Sequence, residues 1–282
     1  MTGGKVNIKN LRRYLTEKFE NSGIESPDTE SGLLVMHYFK LDKTQLLISN
    51  REITDSELEE IEVLANRRIN GEPIRYIIGE APFMDMTFFV NPSTLIPRAD
   101  TEILVEKVIE RTNGDLPVIW DIGCGSGCVG LSLAYHIPNS KIIEIDISKA
   151  ALETANKTAK KYNLTDRVTF FQWDILSGMP PLPVPDIIVS NPPYIPRKDI
   201  DGLMREVKDF EPLTALDGGE DGLMFYREII KSAPLKKDGL LAFEIGYDQG
   251  ETVPDLMRGF GYRDVELIYD LSKNPRVVLG YK

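Results

Sequence analysis

Cysteine and histidine are scarce in this chain, with two of each in 282 residues. That scarcity excludes a disulfide framework, leaves a zinc site short of ligands and argues against a histidine general base. No metal is expected. Both cysteines, Cys124 and Cys128, fall in one glycine-rich segment, where they read as small packing residues. Positive charge is also short: 33 Lys and Arg stand against 44 Asp and Glu, a net charge of −11. A surface of that sign repels a long phosphate backbone, so direct nucleic-acid binding is not expected. No apolar stretch reaches the length of a membrane span, and Met1-Thr2-Gly3-Gly4-Lys5 does not resemble an export signal. The expectation is a cytoplasmic protein acting as a monomer. Internal repeats and low-complexity segments are missing as well.

What remains, 42% hydrophobic and 27% charged residues, is an ordinary globular composition, long enough for one large domain or two smaller ones. Residues 1–70 read as a small helical bundle. Leu11, Tyr14, Leu15 and Phe19 share one face of a first helix. Ser26-Pro27 supplies an N-cap and an N1 proline for a second helix, and Thr54 with Glu57 makes a capping box. Behind that box Leu58, Ile61, Leu64, Ala65 and Arg68 form a helical stripe. Residues 71–92 change character: Arg75-Tyr76-Ile77-Ile78-Gly79 and Met86-Thr87-Phe88-Phe89-Val90 look like a two-stranded connector.

Residues 93–282 alternate strand and helix. Strands are expected at 118–121, 141–146, 168–171, 186–190, 240–245, 265–269 and 276–279, with helices including 100–112, 149–161 and 222–232. This alternation predicts an α/β fold, a doubly wound, mostly parallel seven-stranded sheet. The turn at 270–275 is too short for a crossover helix, so the last two strands should form an antiparallel edge hairpin.

Asn191-Pro192-Pro193-Tyr194 follows the apolar run Ile187-Ile188-Val189-Ser190, at the carboxyl end of a buried strand where open α/β sheets bind ligands. Two prolines remove two backbone donors and leave a stiff turn that presents acceptors. With the amide of Asn191 and the flat ring of Tyr194, such a turn can hold a planar –NH2 group and stack on it. A methyl acceptor of the amide or amino type fits that description.

Asp121-Ile122-Gly123-Cys124-Gly125-Ser126-Gly127 leads from the first strand of the sheet into a helix. Its glycines permit close backbone approach, and the helix start offers free N–H groups. Asp146, with Ile147 beside it, ends the next strand, where a carboxylate can accept both hydroxyls of a ribose. Asp121 places a second carboxylate where an amino-acid ammonium could pair with it. Gly125-Ser126-Gly127-Cys128-Val129-Gly130 also matches the dinucleotide fingerprint, so the loop alone does not separate NAD from S-adenosylmethionine. The amide-holding turn decides for the latter, since hydride transfer has no use for it. Trp173-Asp174, at the end of the third strand, reads as an adenine pocket, with an apolar wall from Trp173 and an acceptor from Asp174. Phe83, Phe88 and Phe89 are assigned to core packing.

In combination these segments resemble the HemK/PrmC family of release-factor glutamine methyltransferases. The resemblance also rests on Gly71-Glu72-Pro73-Ile74, Leu95-Ile96-Pro97-Arg98-Ala99-Asp100-Thr101-Glu102, Glu211-Pro212-Leu213-Thr214-Ala215-Leu216 and Arg276-Val277-Val278-Leu279-Gly280. It implies methyl transfer from S-adenosylmethionine, leaving S-adenosylhomocysteine, to the side-chain nitrogen of the Gly-Gly-Gln glutamine of peptide-chain release factors. It further implies supporting roles for Arg98 and Glu102, and partner recognition by residues 1–70. Two other readings stay open: an adenine or cytosine amino methyltransferase acting on nucleic acid, which uses the same turn, and a non-catalytic nucleoside-binding module.

Overall fold

The computed structural model describes residues 6–112 and 116–282; residues 1–5, expected not to be an export signal, lie outside them. The chain divides after Gly79 into two compact units.

The first unit is helical: α1 (Ile8–Asn21), α2 (Pro27–Phe39), α3 (Lys43–Ile48), α4 (Asp55–Ile69) and α5 (Ile74–Ile78). Ile8, Leu11, Leu15 and Phe19 of α1 are buried with Leu34 and Val35 of α2 and Ile61 and Ala65 of α4. Thr54 and Glu57 form the expected capping box. Ser26 and Pro27 take the expected N-cap and first helical positions of α2, although the Ser26 side chain makes no capping bond. One expectation fails here. Arg75-Tyr76-Ile77-Ile78, read as a strand, is the short helix α5, closed by Gly79 at φ 79°. An apolar run of that length does not distinguish strand from buried helix, and the proline before it pre-sets a helical start.

The second unit opens with the hairpin β1 (Glu80–Phe83) and β2 (Met86–Phe89), whose turn residue Met84 gives its N–H to Glu102 at 2.7 Å. A 3₁₀ turn at Ala99–Thr101 leads into α6 (Glu102–Arg111). Then follow β3 (Val118–Ile122), α7 (Cys128–His136), β4 (Lys141–Asp146), α8 (Lys149–Lys161), β5 (Val168–Gln172), β6 (Ile187–Ser190), α9 (Arg205–Phe210), α10 (Met224–Ser232), β7 (Leu240–Glu244), α11 (Thr252–Gly259), β8 (Arg263–Tyr269) and β9 (Pro275–Tyr281). The sheet order is β5-β4-β3-β6-β7-β9-β8. β5 to β7 are parallel, while β9 runs antiparallel to both β7 and β8. One apolar layer lies on each face of the sheet, the first built around Leu104, Ile119, Leu131 and Val189, the second around Trp120, Tyr226, Ile188 and Phe243.

The strand order reverses between β3 and β6, which pair directly with Ile122 opposite Ser190. That reversal opens a crevice at the carboxyl ends of the two strands. The glycine loop and the Asn-Pro-Pro-Tyr turn therefore emerge side by side.

Candidate functional site

A cavity of about 370 Å³ occupies this crevice, lined by both segments together with Thr94, Leu95, Pro97, Arg98 and Thr101 and by Pro212, Leu213, Thr214 and Ala215. Its size is that of a small-ligand site. In the loop, Gly123, Gly125 and Gly127 all take positive φ. At Gly127 a Cβ would also lie 3.0 Å from both Ala155 and Leu131, so only glycine lets α7 start this close to α8. Cys124 and Ser126 line the cavity from the same loop. Burial pushes the thiols of Cys124 and Cys128 upward, away from the thiolate, in keeping with packing rather than reactivity.

Asp121 is buried at the end of β3, and its Oδ2 accepts the N–H of Gly130 at 2.8 Å. Across the strand pair it faces Glu144, a second fully buried carboxyl. Burial first, and then the charge of Asp121, hold Glu144 well above the usual carboxylate range; burial raises Asp121 as well. Two desolvated acids side by side do not both ionise at neutral pH. Gly130 makes the room, since a Cβ there would sit 2.4 Å from Glu144 Oε1. No periodicity marks Glu144 as special, and sequence reasoning passed over it.

Asp146 ends β4 and uses its carboxylate to order the loop: Oδ2 accepts from Gly125 N–H and Oδ1 from Ser148 N–H, both at 2.8 Å. Asp146 also lines the cavity. Ile147 is half exposed at the rim, and Trp173 and Asp174 complete that end. The Trp173 ring stacks on Phe171 and donates to Gly178 O at 2.7 Å, while Asp174 caps the 3₁₀ turn at Ile175–Ser177 by accepting Leu176 N–H. Both therefore have the packing and capping duties of structural residues as well as a place on the wall. Phe83 and Phe88 are buried in the core, and Phe89 is absent from the lining.

Asn191, Pro192 and Pro193 line the opposite side. Asn191 Nδ2 donates to Thr101 Oγ1 at 3.3 Å, which leaves Oδ1 as the amide's acceptor end. Beneath the turn Ser190 Oγ donates to Ile122 O at 2.6 Å, tying β6 to β3. Behind it the chain is clamped by a glycine-rich strap. Gly218 N–H donates to Ile195 O at 2.9 Å, and a Cβ on Gly222 (φ +76°) would lie 2.3 Å from Tyr194 O. Gln249, unnoticed in the sequence, donates to Tyr194 O and Gly222 O and accepts from Gly246 N–H. Tyr194 is the residue expected to stack on the acceptor. Its ring packs toward the layer built on Tyr226 and Phe243 and does not line the cavity, and burial lifts its hydroxyl to about 12.

Arg98 and Glu102 part company. Arg98 reaches into the cavity and pairs with Glu211 at 2.6 Å, joining the Ile-Pro-Arg and Glu-Pro-Leu-Thr-Ala segments across 113 positions. Burial raises Glu211, against the pull of Arg98. Glu102 instead caps the β1–β2 turn and is absent from the lining.

A doubly wound sheet with a glycine loop after its first parallel strand and an acid ending the next is a class I S-adenosylmethionine-dependent methyltransferase fold. Among solved structures, the methyltransferase from Pyrococcus furiosus matches over 80% of this chain and 98% of its own with TM-score 0.50 at 16% identity, a likeness of fold alone. Residues 10–79 match the family model described as the PrmC N-terminal domain, and residues 98–206 that of the methyltransferase small domain. The release factor glutamine methyltransferase of Moorella thermoacetica is 40% identical, covering 96% of this chain and 98% of the relative. That of Clostridium botulinum is 39% identical, covering 93% and 95%. The chain belongs to the release factor glutamine methyltransferase family.

Proposed function

We propose that the protein methylates the side-chain amide nitrogen, N5, of the glutamine in the Gly-Gly-Gln motif of peptide-chain release factors, with S-adenosylmethionine as donor. The observation that carries this reading is the polarity of the turn. Asn191 commits its donor end to Thr101, and Pro192 has a carbonyl but no N–H; both residues line the cavity, and what they have left to offer a ligand are acceptors. A carboxamide –NH2 has two donors to match them. An amide nitrogen is a poor nucleophile, because its lone pair is delocalised into the carbonyl; gripping both hydrogens orients it without a base, and positioning of this kind lowers barriers substantially.

The other wall fits the donor. Asp121 is a buried carboxyl that would gain from a cationic partner, and Gly123, Cys124, Gly125, Ser126 and Gly127 let a ligand approach the backbone closely. Asp146 with Ile147 would meet the ribose, and Trp173 with Asp174 the adenine. The bound donor supplies a methyl group made electrophilic by a positively charged sulfur. The transferred group leaves the substrate nitrogen with one proton too many, which passes to water. Among the described residues no group of three or more candidate metal ligands occurs, and none is needed for these roles. Partner recognition we assign to the helical unit, whose match to the PrmC N-terminal domain supports it.

The test is to incubate the protein with methyl-labelled donor and purified release factor, digest the factor and locate the label by mass spectrometry. Label on the Gly-Gly-Gln glutamine is expected. Label on nucleic acid alone would instead establish the amino-methyltransferase reading.

A further inference from the structure

Asn191 can face the cavity with either end of its amide, and only the oxygen serves the acceptor role. Something must therefore set its direction. Parallel pairing of β6 with β7 places Ser190 opposite Phe243, so the next residue on each strand, Asn191 and Glu244, lie side by side at the carboxyl edge. Glu244 is 2% exposed there. Thr101 completes the group from the turn before α6: its hydroxyl accepts Asn191 Nδ2 at 3.3 Å, Glu244 Oε2 is buried without a partner, and Thr101 and Asn191 both favour the ionised form of Glu244, as donors to its carboxylate would.

We propose that Glu244, acting directly and through the Thr101 hydroxyl, is the positioning residue that holds Asn191 Nδ2 away from the cavity and turns Oδ1 toward the methyl acceptor. The logic is one of hydrogen count. An ionised carboxylate accepts only, so it draws the single hydrogen of Thr101 to itself. The hydroxyl is then left with lone pairs alone for Asn191, and only Nδ2 can answer them. The inference rests on the reading of Asn191 as acceptor for the glutamine amide.

A neutral Glu244 undoes the arrangement, because its own O–H can donate to Thr101 and free the threonine hydrogen to seek Asn191 Oδ1. Burial raises Glu244 to about 7, opposed by the Thr101 bond and by Arg276. The groups facing it are Thr101 and Asp100 before α6, Asn191 and Tyr194 after β6, Arg276 on β9, Cys128 on α7, and Tyr226 on α10, whose hydroxyl donates to the Glu244 carbonyl at 2.8 Å. Arg276 is itself held by Asp100 and Asp270, each at 3.0 Å. Turnover at saturating donor should therefore fall as pH drops through about 7. Asp121 also titrates, but it lies on the donor's wall, and saturation removes its influence.

The experiment compares steady-state methyl transfer to release factor by the wild type, Glu244→Gln, Thr101→Val and Thr101→Ser between pH 6 and 8.5, with folding checked by circular dichroism. Glu244→Gln and Thr101→Val should each lower kcat by about 10- to 100-fold. The KM for donor should stay within about two-fold of the wild type, since the donor's wall is untouched. Thr101→Ser should restore kcat, and Glu244→Gln should lose the acid limb. Wild-type kcat in both Thr101→Val and Glu244→Gln, or an acid limb unchanged by Glu244→Gln, would overturn the proposal, as would Thr101→Ser as slow as Thr101→Val. Should Glu244→Gln not fold, the valine and serine pair decides alone. Failure of the wild type to label glutamine would count against the function itself, a separable result.

Discussion

Gly130→Ala probes the buried acids directly. Gly130 lies in α7, where alanine is favoured over glycine by about 1 kcal/mol, so on propensity alone the change stabilises. The structure reverses that sign. The new Cβ would lie 2.4 Å from Glu144 Oε1, 2.8 Å from its Cδ and 2.9 Å from Oε2. The displaced carboxyl is fully buried and cannot swing into water, so the change acts as core overpacking, costing about 1–3 kcal/mol. The net expectation is a loss of up to about 2 kcal/mol, or up to about 8 °C in Tm for a unit of this size. In a Glu144→Ala background the obstacle is gone, and Gly130→Ala should then stabilise by up to about 1 kcal/mol. Thermal and urea unfolding of the four proteins in the double-mutant cycle provide the measurement. If Gly130→Ala stabilises both backgrounds equally, Glu144 does not occupy the space above Gly130, and the account of the paired acids fails.

Three further outcomes follow from neighbouring groups. Because Glu144 is held well above its ordinary value of 4.5, it stays protonated in the fold while the unfolded chain ionises, so stability is lost as pH rises above that value, by about 1.4 kcal/mol per unit for one group. Glu144→Gln should remove that share of the slope in urea midpoints between pH 5 and 7, and an unchanged slope would contradict it. Arg98→Ala strands a Glu211 side chain that is only 2% exposed; a loss of about 2 kcal/mol at neutral pH is expected, moderated by the partial exposure of the guanidinium. Since Glu211 is already raised and would be raised further, that loss should shrink toward pH 5 as it protonates. Gln249→Ala removes three hydrogen bonds behind the turn, for a loss of about 1–3 kcal/mol and faster amide exchange at Gly246.

Much of this architecture was legible in advance, for physical reasons. A strand such as Ile187–Ser190 is buried throughout, and its Ile187-Ile188-Val189 reads as an apolar run between turn signals. The glycine loop and Asn191-Pro192-Pro193 announce themselves because backbone conformation and missing donors are written in residue type. Less legible was whatever depends on register. Glu144 and Glu244 look like ordinary strand residues until β3·β4 and β6·β7 pairing sets them beside Asp121 and Asn191. Gln249 acts on a carbonyl 55 positions away. Residue type does not decide which way the Tyr194 ring turns, and here it packs against the core. Arg75-Tyr76-Ile77-Ile78 misled because a run so short has no period to read.

The central claim is that a proline-stiffened corner grips a carboxamide by its two hydrogens. A crystal structure with S-adenosylhomocysteine and a Gly-Gly-Gln peptide tests it most directly. The account predicts the glutamine nitrogen at about 3 Å from both Asn191 Oδ1 and the Pro192 carbonyl oxygen. A glutamine side chain bound away from those two atoms, with the peptide otherwise ordered, would contradict it.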